Sequence, residues 1–149
     1  MRIVLNGKLC DEADAKVAVS DRSFCYGDGL FETFRVHNGC AFRLADHIER
    51  LNNSAAALGF KVPFTIDDIE DHIDALVTEC EMPDAMARIH LSRGVGKRGY
   101  SPRDVNLPTY VMAFHSAPEI DAGRPIAWRM KTSSYRLNPS DPLITHKTA

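Results

Sequence analysis

Three groups of residues in this sequence hold side chains that do chemistry or bind anions. The first is the run Ser92-Arg93-Gly94-Val95-Gly96-Lys97-Arg98-Gly99-Tyr100, which packs three glycines and three cations into nine residues. Glycines let backbone amides come close to an anion and the cations add charge, so such a run can cradle a phosphate or a carboxylate. Its GxG lacks the strand-to-helix GxGxxG context, and no GxxxxGK[ST] occurs, so neither a dinucleotide site nor a P-loop is supported. A solvated basic loop is the ordinary alternative. The second is Arg50, whose planar guanidinium suits a phosphate. It lies about 200° round a helix axis from Ile48, off the apolar stripe, where a solvated arginine is the more ordinary reading. The third is Lys147, in Thr145-His146-Lys147-Thr148-Ala149. A neutral lysine amine is a nucleophile and a base, but by position alone this one reads as a solvated tail. The six histidines are scattered, Cys10, Cys25, Cys40 and Cys80 show no ligand spacing, and no GxSxG elbow occurs. Metal binding, disulfides and serine hydrolysis are therefore unsupported.

The elements that must position these residues are legible as period and punctuation. Arg2 to Leu5 followed by Asn6-Gly7 predicts a hairpin, because Asn-Gly readily takes the positive φ angles of a tight turn. Asn38-Gly39 predicts a second, joining Phe31–Val36 to Cys40–Phe42. Leu44, Ile48, Leu51, Ala55 and Leu58 step by four and three, one face of a helix ending at Gly59. Thr65 with Asp68 resembles a capping box, and Ile66, Ile69, Ile73, Leu76, Val77 and Cys80 form the stripe of a second helix stopped before Pro83. Ala87 to Ser92 alternates Arg88, His90 and Ser92 against Ala87, Ile89 and Leu91, a strand with one face in a core. A Gly/Pro/Arg-rich loop to Pro108 and a strand over Thr109–His115 follow. Pro118 to Pro125 reads as a linker and Ile126–Met130 as a new strand. The expectation is an α+β fold, a small antiparallel sheet with two helices in an N-terminal domain over residues 1–120. Residues 121–149 begin a second domain.

Composition narrows the partners. The chain has 149 residues, 44% of them apolar and 26% charged, with a formal charge of −2. That is enough for one sizeable core. With no block of like charge, nothing favours nucleic acid or a membrane surface, and no apolar run reaches the length of a bilayer span. A cytoplasmic protein acting on small molecules is expected.

The run Asp21-Arg22-Ser23-Phe24-Cys25-Tyr26-Gly27-Asp28-Gly29-Leu30-Phe31-Glu32-Thr33-Phe34-Arg35 resembles the opening signature of the class IV aminotransferases and aminodeoxychorismate lyases. These are fold-type IV enzymes dependent on pyridoxal 5′-phosphate (PLP). His47-Ile48-Glu49-Arg50-Leu51, with Ser54-Ala55 and Leu58-Gly59, is similar to a second element of that family, whose arginine holds the PLP phosphate. His146-Lys147-Thr148 sits where the family places its cofactor-bearing lysine. The resemblance thus implies PLP held by Lys147 and Arg50. The 92–100 loop is most similar to that of 4-amino-4-deoxychorismate lyases, which make p-aminobenzoate for folate; related aminotransferases carry less similar loops. By that similarity Arg98 would take a substrate carboxylate, Tyr100 is its neighbour in the loop, Phe31 walls the pocket, and Arg88 is a weaker candidate for a second carboxylate.

Lys147 is the implied catalytic base, acting on a small-molecule amine substrate. An aminotransferase for D-amino or branched-chain amino acids is the alternative activity. Family members continue through a second domain that supplies the acidic partner of the pyridine nitrogen, so the expectation is an N-terminal part, inactive alone. The resemblance also implies a homodimer. The competing reading from another class is an inactive domain that only self-associates.

Overall fold

Two Asn-Gly pairs set the outer hairpins. Asn6 and Gly7 have φ of 50° and 78°, Asn38 and Gly39 49° and 77°, the pattern of a type I′ turn, whose twist matches that of the flanking strands. They join β1 (Arg2–Leu5) to β2 (Lys8–Asp11) and β3 (Gly29–His37) to β4 (Cys40–Ala41). With β5 (Ala85–Ser92) and β6 (Thr109–Ser116) they form a six-stranded antiparallel sheet in the order β2-β1-β6-β5-β3-β4. The structure is a computed structural model and describes residues 1–105, 107–119, 123 and 127–149.

The two expected helices are present, and with the sheet they confirm the α+β reading. Leu44, Ile48, Leu51 and Ala55 of α2 (Leu44–Ala57) are all buried against the sheet. Past the end of α2, Gly59 at φ 76° lets Phe60 N–H return to the Ala55 carbonyl at 3.0 Å, a left-handed stop. In α3 (Ile66–Cys80) the capping box is real: Asp68 N–H donates to Thr65 Oγ1 at 3.1 Å and Thr65 N–H to Asp68 Oδ2 at 2.7 Å. Ile69, Ile73 and Leu76 of α3 complete a core with Phe34, Ile89 and Phe114 of the sheet.

Sequence period misses a third, five-residue helix, α1 (Arg22–Tyr26), and a 3-10 turn at Glu12–Asp14. Elements this short show less than two turns of pattern. Instead α1 is marked by its ends: Asp21 Oδ1 accepts from Ser23 N–H at 2.9 Å, and Gly27 closes it at φ 65°.

A second correction concerns the strand expected at Ile126–Met130. Ile126 lies outside the described residues, and Ala127–Met130 form no strand. Trp128 and Met130 are exposed, and no neighbouring strand completes a ladder or covers them among the described residues. The boundary expected at 120/121 also falls outside the described residues. No described helix is long and apolar enough to cross a membrane.

The packing of α2 makes a direct test. Leu51 is 1% exposed within the core cluster, so Leu51→Ala should cost about 2–5 kcal/mol by chemical denaturation. Exposed Asn53→Ala should stay within about 0.5 kcal/mol.

Candidate active site

Strand β3 sends Leu30, Glu32, Phe34 and Val36 toward the helices. Three are apolar; Glu32 is a carboxylate, 1% exposed, in the same row. A buried charge is tolerated only with partners, and α2 supplies them. Arg50 donates from Nε to Glu32 Oε1 at 2.6 Å and from Nη2 to Oε2 at 2.6 Å, a bidentate pair. His47, three residues earlier on the same helix face, lies with Nδ1 2.8 Å from Oε2. A carboxylate only accepts, so Nδ1 carries the proton there. Burial raises the Glu32 pKa, but the hydrogen bonds from Arg50 and His47 outweigh it and hold the group below its ordinary 4.5. The Arg50 side chain remains 50% exposed. It is therefore on the solvated flank, as its helical phase implies, yet bonded on one edge.

Lys147 is not a free tail. Its carbonyl accepts from Phe31 N–H at 3.1 Å, Ala149 N–H donates to the Gly29 carbonyl at 2.9 Å, and Thr148 bridges Leu30. Residues 147–149 thus run antiparallel along the edge of β3 away from β5. His146 Nδ1 meets Ser54 Oγ of α2 at 3.0 Å, pinning the segment to the helix. The amine of Lys147 ends 3.9 Å from Glu32 Oε2 and 4.7 Å from the centre of the Phe31 ring.

Phe31 lies on the opposite face of β3 from Glu32, paired across to His90, with Arg88 opposite Thr33. The Arg88 guanidinium stacks 4.3 Å from the Phe31 ring centre. Phe31 is thus contacted by two cations, Arg88 and Lys147. His90 Nε2 is 2.8 Å from Ser23 Oγ, and burial, then the charge of Arg88, lowers its pKa below 6.5.

The structure therefore brings Lys147, Phe31, Arg88 and, through Glu32, Arg50 together. It does not bring in the other two candidates. Arg98 is exposed and lines a shallow groove with Ser20, Cys25, Tyr26 and Lys97. Tyr100 is 86% exposed and meets Tyr26 with ring centres 5.4 Å apart. Neither joins the Glu32 network. Sequence reasoning missed Glu32 and His47. The available signal was a lone acid in the core-facing row of β3, whose partners on α2 lie 15 and 18 residues further along the chain.

An amine and a guanidinium held by one buried carboxylate fit a cofactor with a carbonyl carbon and a phosphate. Glu32 occupies Nε and Nη2 of Arg50, which leaves the outer Nη1 edge for a second anion. The Lys147 amine makes an ion pair at 3.9 Å and no hydrogen bond to Glu32, so it can turn toward a carbonyl carbon.

Because the Glu32 pKa is depressed, its ionised form stabilises the fold above 4.5, and this contribution is lost as pH falls through the lowered value. Glu32→Gln should lower the melting temperature at pH 7, and the gap to wild type should close as pH falls from 4.5 through the lowered value. Thermal melts across that range read it.

Residues 29–149 match the family described as amino-transferase class IV. A putative branched-chain-amino-acid aminotransferase of Methanocaldococcus jannaschii is 42% identical over 109 residues, 73% of this chain and 38% of the relative. Aminodeoxychorismate lyase of Bacillus subtilis is 33% identical over 145 residues, 91% of this chain and 49% of the relative. The chain therefore spans less than half the length of these relatives. Among solved structures, a T.th. branched-chain amino acid aminotransferase complexed with N-(5′-phosphopyridoxyl)-L-glutamate superposes with a TM-score of 0.69. It is 26% identical, with 76% of this chain and 40% of that chain covered. Its sheet and helices are those of the fold-type IV enzymes, whose cofactor is pyridoxal 5′-phosphate. By its matched residues and its fold, the chain belongs to the class IV aminotransferase family.

Proposed function

We propose that this chain is the cofactor-bearing N-terminal part of a PLP-dependent 4-amino-4-deoxychorismate lyase, forming p-aminobenzoate and pyruvate. The observation that carries the PLP site is the Lys147–Glu32–Arg50 arrangement. The lyase reading is supported by the 92–100 loop and by the 33% identity to a lyase over 91% of the chain. The 42% identity to a putative branched-chain-amino-acid aminotransferase and the 30% identity to a D-alanine aminotransferase favour the alternative, transamination of branched-chain or D-amino acids.

Lys147 would hold the cofactor through its amine and Arg50 would hold the phosphate through its outer edge. When bound, PLP supplies an electron sink for the carbanion formed on the substrate. The Lys147 amine would take a proton from the substrate, from ring carbon C4 in the lyase or from Cα in the aminotransferase. In the lyase the C–H electrons would form the aromatic ring as the ether C–O bond breaks, and the enolpyruvate released would take up a proton to become pyruvate. Glu32 commits its charge to Arg50 and His47 and so fixes the guanidinium that aligns the cofactor. Phe31 forms an apolar wall, and Arg88 above it offers N–H donors to a substrate carboxylate. Arg98 would meet a carboxylate from the loop. A homodimer is part of the same proposal, read by the mass of the protein in solution.

Three measurements test the reading on the protein with its full chain. Borohydride reduction after PLP loading should fix the cofactor on wild type and not on Lys147→Ala; a reducible adduct retained in the variant moves the role to another lysine. Arg50→Ala should weaken PLP binding by about 1.5–3 kcal/mol, roughly ten- to 150-fold, with little recovery in Arg50→Lys. Equal affinity in equilibrium dialysis returns Arg50 to a structural partner of Glu32. Incubation with aminodeoxychorismate should release p-aminobenzoate and pyruvate; turnover of D-alanine or a branched-chain amino acid with a keto acid, and no p-aminobenzoate, replaces the lyase by the aminotransferase.

A further inference from the structure

Arg22 is a charged residue inside the protein, 3% exposed, at the first position of α1. Its Nε donates to Asp28 Oδ2 at 2.6 Å. Its other two nitrogens serve three consecutive carbonyls of one loop: Nη1 donates to Gly99 at 3.0 Å and Ser101 at 3.2 Å, and Nη2 to Tyr100 at 2.9 Å. The loop also touches Arg22 at its start. Arg22 N–H donates to the Gly94 carbonyl at 2.9 Å. Gly96 lies so close to the arginine stem that a Cβ there would stand 3.0 Å from Cδ and 3.1 Å from Cγ. One turn along α1, the Tyr26 hydroxyl accepts from Gly99 N–H at 2.9 Å and its ring meets that of Tyr100.

We propose that Arg22 is the positioning residue of the 94–101 loop: the loop backbone is wound round this one buried side chain, which sets where Arg98 stands. The proposal rests on the reading above that Arg98 meets the substrate. Holding a glycine-rich loop in one path opposes a large conformational entropy, on the order of 1–2 kcal/mol per residue. A guanidinium offers five donors in a rigid fork, enough to bind an acid and three carbonyls at once. The charge is offset locally. Asp28 Oδ2 also accepts from Arg93 Nε at 2.8 Å, and although burial raises the Asp28 pKa, the bonds from Arg93 and Arg22 bring it below its ordinary value. With two guanidinium groups on one carboxylate, the loop carbonyls supply the remaining negative ends that Arg22 needs. An ammonium lacks the fork, so lysine does not substitute.

The test compares Arg22→Met, Arg22→Lys and Gly96→Ala in the full-chain protein. Gly96→Ala retains the buried charges and crowds the loop against the arginine stem and against Val105 Cγ2, 3.1 Å from the added Cβ, so it serves if the Arg22 variants do not fold. Expected are faster amide exchange over Gly94–Ser101, faster tryptic cleavage after Lys97, Arg98 and Arg103, and a KM raised about tenfold. PLP affinity and borohydride labelling should remain those of wild type, and Arg22→Lys should not rescue. Unchanged exchange and cleavage in the variants that fold overturn the proposal. So does a fall in PLP affinity parallel to the rise in KM, which marks a general structural residue. A rise in KM for Arg98→Ala but for neither Arg22→Met nor Gly96→Ala also overturns it. If exchange rises while KM is unmoved in all of these, Arg98→Ala included, the loop is positioned as proposed and the substrate role of Arg98 is what fails.

Discussion

Glu32 is the charge around which β3, α2 and the segment bearing Lys147 are arranged. A carboxylate in the core-facing row of β3 has no solvent to stabilise it, so it has to be met by donors from elements that arrive from elsewhere in the chain. Arg50 and His47 come from α2 and Lys147 from the terminal segment. Each of them is thereby oriented by the fold and does not depend on its own rotamer preference. The arrangement also fixes a half-exposed arginine: one edge is held by two 2.6 Å bonds and the other is left open.

The glycine-rich signature before β3 contributes a second set of charges with a different task. Asp21 caps α1 and accepts from Ser92 Oγ at 2.5 Å, tying the helix to the end of β5. Asp28 joins Arg22 to Arg93, and Arg93 reaches on to the Leu58 carbonyl behind α2 at 2.9 Å. The same run thus holds the loop on one side and the helix end on the other, while Phe31 and Glu32 further along it face the two sides of the sheet. Gly29 is required between them, since a Cβ there would stand 2.8 Å from the Leu91 carbonyl and from Ser23 Oγ.

Family membership and the PLP cofactor follow from the match over residues 29–149. The choice between lyase and aminotransferase follows from neither the fold nor the Lys147–Glu32–Arg50 geometry, because both reactions begin with the same amine and the same electron sink. Under the proposed reading, discrimination falls to groups that would meet the rest of the substrate, Arg88 stacked on Phe31 and the exposed loop bearing Arg98.

Local signals in the sequence determined the hairpins at Asn6-Gly7 and Asn38-Gly39, both long helices with their stops, and the alternation of β5. Each is written in neighbouring residues, where turn chemistry, capping and periodicity act. Motif resemblance added Lys147 and Arg50, which local physics had left as a tail and a solvated cation. Only the tertiary structure decided that Glu32 joins them, that Arg22 and not a cluster of glycines organises the 94–101 loop, and that Arg98 and Tyr100 stand apart from the lysine. Ala127–Met130 failed as a strand for the same reason. A buried charge, a loop carbonyl and a strand edge are each defined by partners distant in the chain, and the short-range pattern of a sequence does not record which partners arrive.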